Sequence, residues 1–111
     1  MKNKELIVAE LAALGWIRDR ICDVFQKDVE TFRGTAHASF WLARDSEFDR
    51  WWLKDGLFES AGENVLAGNC AIIDDSFGPE QVAATVSKFC AACDQDLQRA
   101  YSVKLLRVLN K

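Results

Sequence analysis

Apolar residues recur at helical spacing at both ends of this chain. Between Lys4 and about Phe32, the residues Ile7, Leu11, Leu14, Ile17, Ile21, Val24 and Phe25 fall mostly three or four positions apart, with charged residues between them. That is the period of a helix burying one stripe. Asn3 is placed to cap it, Asp23 and Lys27 stand one turn apart as an acid-then-base pair, and Gly15 marks a break or kink. One long helix and two shorter ones both satisfy the pattern. At the other end, Ser76-Phe77-Gly78-Pro79-Glu80 opens a helix, because Pro79 suits a first helical position whose N–H would have no intrahelical partner. Val82, Val86, Phe89, Cys93, Leu97, Tyr101, Leu105 and Val108 continue that stripe almost to the last residue.

The middle is less regular. The run from Ala36 to Ala43 alternates weakly and suits a short strand or the opening of another helix. Asp45 or Ser46 can cap a helix carrying Phe48, Trp51, Trp52 and Leu53, with Gly56 placed to end it. Gly56, Gly62 and Gly68 predict loop or partial helix over 56–69, and Cys70-Ala71-Ile72-Ile73 reads as one buried strand. With no repeat, low-complexity tract or linker, residues 1–111 read as one domain. The expected fold is mainly α: a single compact helical domain with long amino- and carboxy-terminal helices. Ile7, Leu14, Ile17, Ile21, Val82, Val86, Phe89, Cys93 and Leu97 are its expected core. The alternative is α+β, with one or two short strands near 36–43 and 70–74.

Composition supports folding: half the residues are apolar and 28% are charged, far from the balance that keeps chains disordered. The net charge of -3 and pI near 5.1 argue against broad attraction to nucleic acid or anionic membrane. No stretch approaches the roughly 20 apolar residues of a membrane span. Glu5 and Glu10 interrupt what would be the apolar segment of a signal peptide. The expectation is a cytoplasmic protein with Cys22, Cys70, Cys90 and Cys93 reduced.

Few residues form a chemical constellation. Cys90 and Cys93 make one half of a zinc site, with only Cys22, Cys70 and His37 to complete it, so two small core thiols on one helix face explain them as well. His37 is the only histidine, and neither a nucleophile elbow nor a phosphate-binding glycine loop is present. Asp74 and Asp75 follow the apolar run 70–73, where adjacent carboxylates can hold a divalent ion. Ahead of a helix they can equally cap free N–H groups. No metal or cofactor is expected.

Charge patterning carries more. From Asp45 to Glu80 nine acids face only Arg50 and Lys54, and residues 40–80 hold Phe40, Trp41, Phe48, Trp51, Trp52, Phe58 and Phe77. Carboxylates around large rings attract a basic partner over distance and then anchor it by burying the rings. Adjacent residues on a helix point about 100° apart, so Trp51 and Trp52 cannot both centre on one buried stripe. The expected partner-binding surface is Asp45, Glu47, Asp49, Trp51 or Trp52, Asp55 and Glu59. The expected function is non-catalytic: an immunity- or antitoxin-like inhibitor neutralising a basic, nuclease-type toxin, with no direct contact to nucleic acid or membrane. The alternatives are a small metal-dependent enzyme using Asp74 and Asp75, with or without His37, and a homodimeric helical regulatory subunit. If the acidic segment is only a solvated face, the interface is expected on the basic carboxy-terminal helix with Lys88, Arg99, Lys104 and Arg107.

Overall fold

A computed structural model describes residues 3–19, 23–31, 34–60, 63–67 and 69–109, with side chains over 3–19, 23–30, 35–54 and 69–97 and at Arg99. The fold is α+β, which corrects the mainly helical expectation. A first helix α1 (Lys4–Ala13) leads into strands β1 (Ile17–Arg18), β2 (Val24–Thr31), β3 (Gly34–Asp45), β4 (Arg50–Ser60), β5 (Glu63–Ala67) and β6 (Ala71–Asp74). A long helix α2 (Pro79–Leu109) follows. All pairings are antiparallel, in the order β1-β2-β3-β4-β5. β6 shares the outer edge of β4 with β5: residues 50–53 of β4 pair with β6 and residues 56–60 with β5. The register of β3 against β4 shifts between Ser39 and Trp41, where the outer edge changes partner. Such a bulge bends and twists the strand that carries it.

The helical stripe expected from Lys4 to Phe32 stops after three turns for a local reason. Gly15 adopts φ 91°, its N–H donates to the Ala12 carbonyl at 3.0 Å, and Trp16 N–H donates to the Leu11 carbonyl at 3.0 Å. This left-handed closure pairs the last carbonyls and turns the chain out of the helix. Beyond it the pattern changes period. Asn3 does not cap with its side chain; its Nδ2 donates to the carbonyls of Asp74 and Phe77, both at 3.2 Å, tying the start of α1 to the end of β6. Asp23 and Lys27 are not a helical pair either. Asp23 accepts from Lys4 and Arg18, and Lys27 donates to the Leu14 carbonyl.

In the sheet, successive side chains point to opposite faces. Phe25 of β2, Ala36, Ala38, Phe40 and Leu42 of β3, Trp51 and Leu53 of β4 and Ile73 of β6 face inward. Both helices cover them with Ile7 and Leu11 from α1 and Val82, Val86, Phe89, Cys90, Cys93 and Leu97 from α2. Phe40 sits at the aromatic centre, edge-on to Trp16 at 4.7 Å and to Phe89 at 4.9 Å, and stacked with Phe25 at 5.6 Å. These separations lie in the favourable range for ring pairs.

Six members of the expected core are buried: Ile7, Val82, Val86, Phe89, Cys93 and Leu97. Leu14 is exposed because it lies in the turn that ends α1, and Ile17 is 72% exposed because it points to the uncovered face of the sheet. Ile21 and Cys22 lie outside the described residues. The helix expected around Phe48 to Leu53 is the β3–β4 hairpin, and the loop expected over 56–69 contains the end of β4 and all of β5. Among the described residues, no helix is long and apolar enough to cross a membrane.

Candidate functional site

Among the described residues, α1 and α2 close one face of the sheet and leave the other open. The pleat and the register decide what the open face carries. Val24 of β2 pairs with Trp41 of β3, which pairs with Lys54 of β4; one row along, Ala43 pairs with Trp52, which pairs with Ile72 of β6. Trp41 is 49% exposed and Ile72 39% exposed, while Trp52 is half-buried among its neighbours. The next row is Asp45, Arg50 and Asp74, and Phe48, 58% exposed, stands in the β3–β4 turn beyond it.

These groups support one another. The Arg50 guanidinium lies 4.7 Å from the Phe48 ring and 5.1 Å from the Trp52 ring, and the Lys54 ammonium lies 6.0 Å from Trp52. All three are within cation–π range. Asp45 Oδ2 accepts from Arg50 Nε at 2.9 Å and from Trp52 Nε1 at 3.3 Å. Burial pushes the Asp45 carboxyl up, but the hydrogen bonds from Arg50 and Trp52 outweigh it and hold it below its ordinary value of 3.8. The hydrogen bond to Asp45 and the flanking cations hold the ring of Trp52 in one orientation on this face.

Trp51, the neighbour of Trp52, is 2% exposed and belongs to the core. Adjacent residues of a strand point about 180° apart, not the 100° of a helix, so the two tryptophans lie on opposite faces. Arg44 and Lys4 cover the Trp51 ring at 5.1 and 5.6 Å, and Arg44 donates two hydrogen bonds of 2.7 Å to Asp75. Glu47 and Asp49 are exposed in the turn, Asp49 with φ 50°. Arg44 reaches Asp49 at 3.8 Å. The side chains of Asp55 and Glu59 lie outside those described; their backbones continue β4, and the register sets Glu59 opposite His37.

Asp74 and Asp75 have local partners. Asp74 Oδ1 accepts the Ser76 N–H at 2.9 Å, which lowers its carboxyl below 3.8, and Asp75 holds Arg44. His37 lies against Asp28 at 2.5 Å on the open face. It stands eight residues along β3 from Asp45, the row of Asp74, or roughly 26 Å at about 3.3 Å per residue. The structure therefore does not bring His37 together with Asp74 and Asp75. Cys70, Cys90 and Cys93 are free, with Cys90 and Cys93 buried on one side of α2. Burial pushes the Cys90 thiol to about 11 and the Cys93 thiol to about 12. Among the described residues, no group of three or more potential ligands could hold a metal ion. On α2, Lys88 and Arg99 are exposed and the side chains of Lys104 and Arg107 are not described.

The partner-binding set expected from the sequence leaves out Trp41, Phe48, Ile72, Arg50 and Lys54, although Trp41 and Phe48 are among the aromatic residues of the acidic middle. The available signal was the alternation of Ala36, Ala38, Phe40 and Leu42, which puts Trp41 on the face opposite Phe40. Comparison with protein-family models, curated proteins and solved structures finds no match for this chain.

Proposed function

We propose that this domain is a non-catalytic protein-binding module that docks a basic partner on the open face of its sheet. One observation carries the reading: Trp41, Trp52, Ile72 and Phe48 form an apolar strip on a face that neither helix covers. Desolvation of exposed rings is a main source of binding energy at protein interfaces, and tryptophan is enriched among the residues that supply it. The surround sets the sign of the partner. Asp28 and Glu30 of β2 stand on the same face at one end, and Asp45 and Asp74 at the other with Glu47 exposed in the adjoining turn, against Arg50 and Lys54 on that face among the described residues; Asp49, in the same turn, lies toward Arg44, whose guanidinium covers Trp51 on the closed side. An acidic rim around an apolar centre suits a partner with an apolar centre and a basic rim.

The narrower form of the proposal is an immunity- or antitoxin-like inhibitor, acting in the cytoplasm on a basic, nuclease-type toxin whose phosphate-binding cleft the rim carboxylates occupy. The test compares full-length wild type with Trp41→Ala and with Glu47→Lys in quantitative affinity purification from source cells, followed by kinetics with any partner recovered. The expected partner is basic. Trp41→Ala should raise its dissociation rate, losing on the order of 2 kcal/mol. Glu47→Lys should slow association and weaken its salt dependence, because steering is screened over roughly 8 Å at physiological ionic strength. A partner retained equally by both variants, or one that is acidic, refutes the reading.

A further inference from the structure

The two long edges of this sheet are not alike. At one, β1 covers only Phe25 and Gln26 of β2, and the uncovered remainder of β2 carries Lys27, Asp28 and Glu30. Charges of that kind keep an edge from pairing with a foreign strand. At the other edge, the segment Cys70-Ala71-Ile72-Ile73 has no charge and no proline. Among the described residues, β6 pairs with β4 and with no other strand.

The register shows which backbone groups that edge offers. Asp75 N–H donates to the Asp49 carbonyl at 3.0 Å, and in an antiparallel ladder alternate residues turn their N–H and C=O to the same neighbour. Ile73 and Ala71 therefore face β4, while Ile72 and Asp74 face away. The outward Asp74 carbonyl is occupied by Asn3 Nδ2 and by Phe77 N–H. The outward N–H and C=O of Ile72 have no such closure among the described residues. Beside them runs a groove between β6 and α2, lined by Cys70, Ala71, Ile72, Thr85, Lys88 and Phe89 among others. Its floor is apolar at Phe89 and Ala71. The only charge in its lining is Lys88, which is exposed and meets no carboxylate among the described residues.

We infer that the outer edge of β6 and the adjoining flank of α2 form a second binding site, which takes an extended acidic peptide by strand addition. The peptide backbone pairs with Ile72, a small apolar side chain enters the groove above Phe89, and a carboxylate meets Lys88. This division between main-chain bonds for affinity and side-chain pockets for selection is the general logic of strand addition. The site shares Ile72 with the docking face proposed above, using its backbone where that face uses its side chain, and it does not rest on that reading.

The test uses the full chain, isotopically labelled, titrated with a seven-residue peptide of alternating valine and aspartate and with its valine–lysine counterpart. Amide shifts from the valine–aspartate peptide should be confined to residues 70–74 and 85–92, and the Ile72 amide should gain protection from hydrogen exchange. Lys88→Glu, on the exposed side of α2, should weaken that peptide about tenfold and reverse the preference between the two, as expected for loss of a charge-assisted contact. Ile72→Pro removes an outward N–H without touching the β4 ladder and should abolish the shifts; a peptide N-methylated along its backbone should fail on wild type, a result that needs no variant to fold. The proposal is overturned if neither peptide moves these amides, if Lys88→Glu leaves the preference unchanged, or if the N-methylated peptide binds equally well. Concentration-dependent protection of Ile72 without peptide would overturn it too, assigning the edge to a second copy of this chain.

Discussion

Trp51→Ala and Trp41→Ala differ by ten positions in sequence and by a whole face in the structure, so the pair tests the pleat on which the docking face depends. Trp51 is 2% exposed. Removing a packed indole leaves a cavity, and such truncations cost about 3–5 kcal/mol. Loss of the Lys4 and Arg44 contacts to its ring places the expected value in the upper part of that range. Trp41 is 49% exposed: half of a side chain that buries on the order of 200 Å² when enclosed leaves ~100 Å², or at most ~2.5 kcal/mol at about 25 cal/mol per Å². Solvent fills the vacated space, so no cavity term adds, and about 1–2 kcal/mol is expected. Against a total stability of roughly 5–15 kcal/mol, Trp51→Ala approaches the limit of folding and Trp41→Ala does not. Urea unfolding followed by far-ultraviolet circular dichroism measures both. With a slope of about 1–3 kcal/mol per molar, a difference of ~3 kcal/mol separates the midpoints by at least ~1 M. Equal midpoints, or a lower one for Trp41→Ala, refute the assignment of the two rings to opposite faces.

Three further outcomes follow from individual residues. Asp45 and Asp74 have carboxyls held below their ordinary value; a lowered folded value contributes stability above the unfolded pKa and loses it as pH falls through the folded one. Stability should therefore drop below about pH 4, and less steeply in Asp45→Asn, as measured by denaturation at a series of pH values. In native protein, Cys70 should be alkylated at pH 8 well before Cys90 and Cys93, whose thiols burial pushes to about 11 and about 12, with peptide mapping as the readout; equal labelling would refute their burial. Gly15→Ala should cost about 1 kcal/mol or more in thermal unfolding. Its φ of 91° strains any side chain, although the nearest atom to a new Cβ, Lys27 Cε, is an acceptable 3.6 Å away.

The two ends of the chain were legible to different degrees. From Pro79 the helical stripe has a start signal and unbroken spacing, and the structure places a helix there. From Lys4 to Phe25 the same spacing spans α1, a turn, β1 and the start of β2. Ile17 and Val24 kept the period only by coincidence, because Gly15 had already reset the phase. In β3 the inward residues Ala36 and Ala38 are small, and the outward Trp41 and Ala43 are apolar. The contrast that reveals a strand of period two is therefore weak where the strand is longest. Trp51 and Trp52 were separable in sequence by either geometry, but only the strand identifies which one is buried: Trp51 shares its parity with Leu53.

Charge counted along a segment is not charge displayed on a surface, and the difference changes what the acidic middle means. Of the acids between Asp45 and Glu80, Asp45 is bound by Arg50, Asp75 by Arg44, and Asp74 by a backbone N–H. Arg44 lies one residue outside the segment in which the acids were counted, and its two bonds to Asp75 close the edge of the core over Trp51. Conversely, Asp28 and Glu30 lie outside that segment, yet pairing of β2 with β3 brings them onto the open face with Trp41. The rim is thus assembled from strands that sequence order keeps apart. Its centre holds Arg50 and Lys54 stacked on Trp52, the only two bases of the acidic segment. Under the proposed reading, a partner would be basic at its periphery and apolar or acidic near the middle, where Lys54 and the Asp45-bound Arg50 flank Trp52, which selects against a uniformly basic surface.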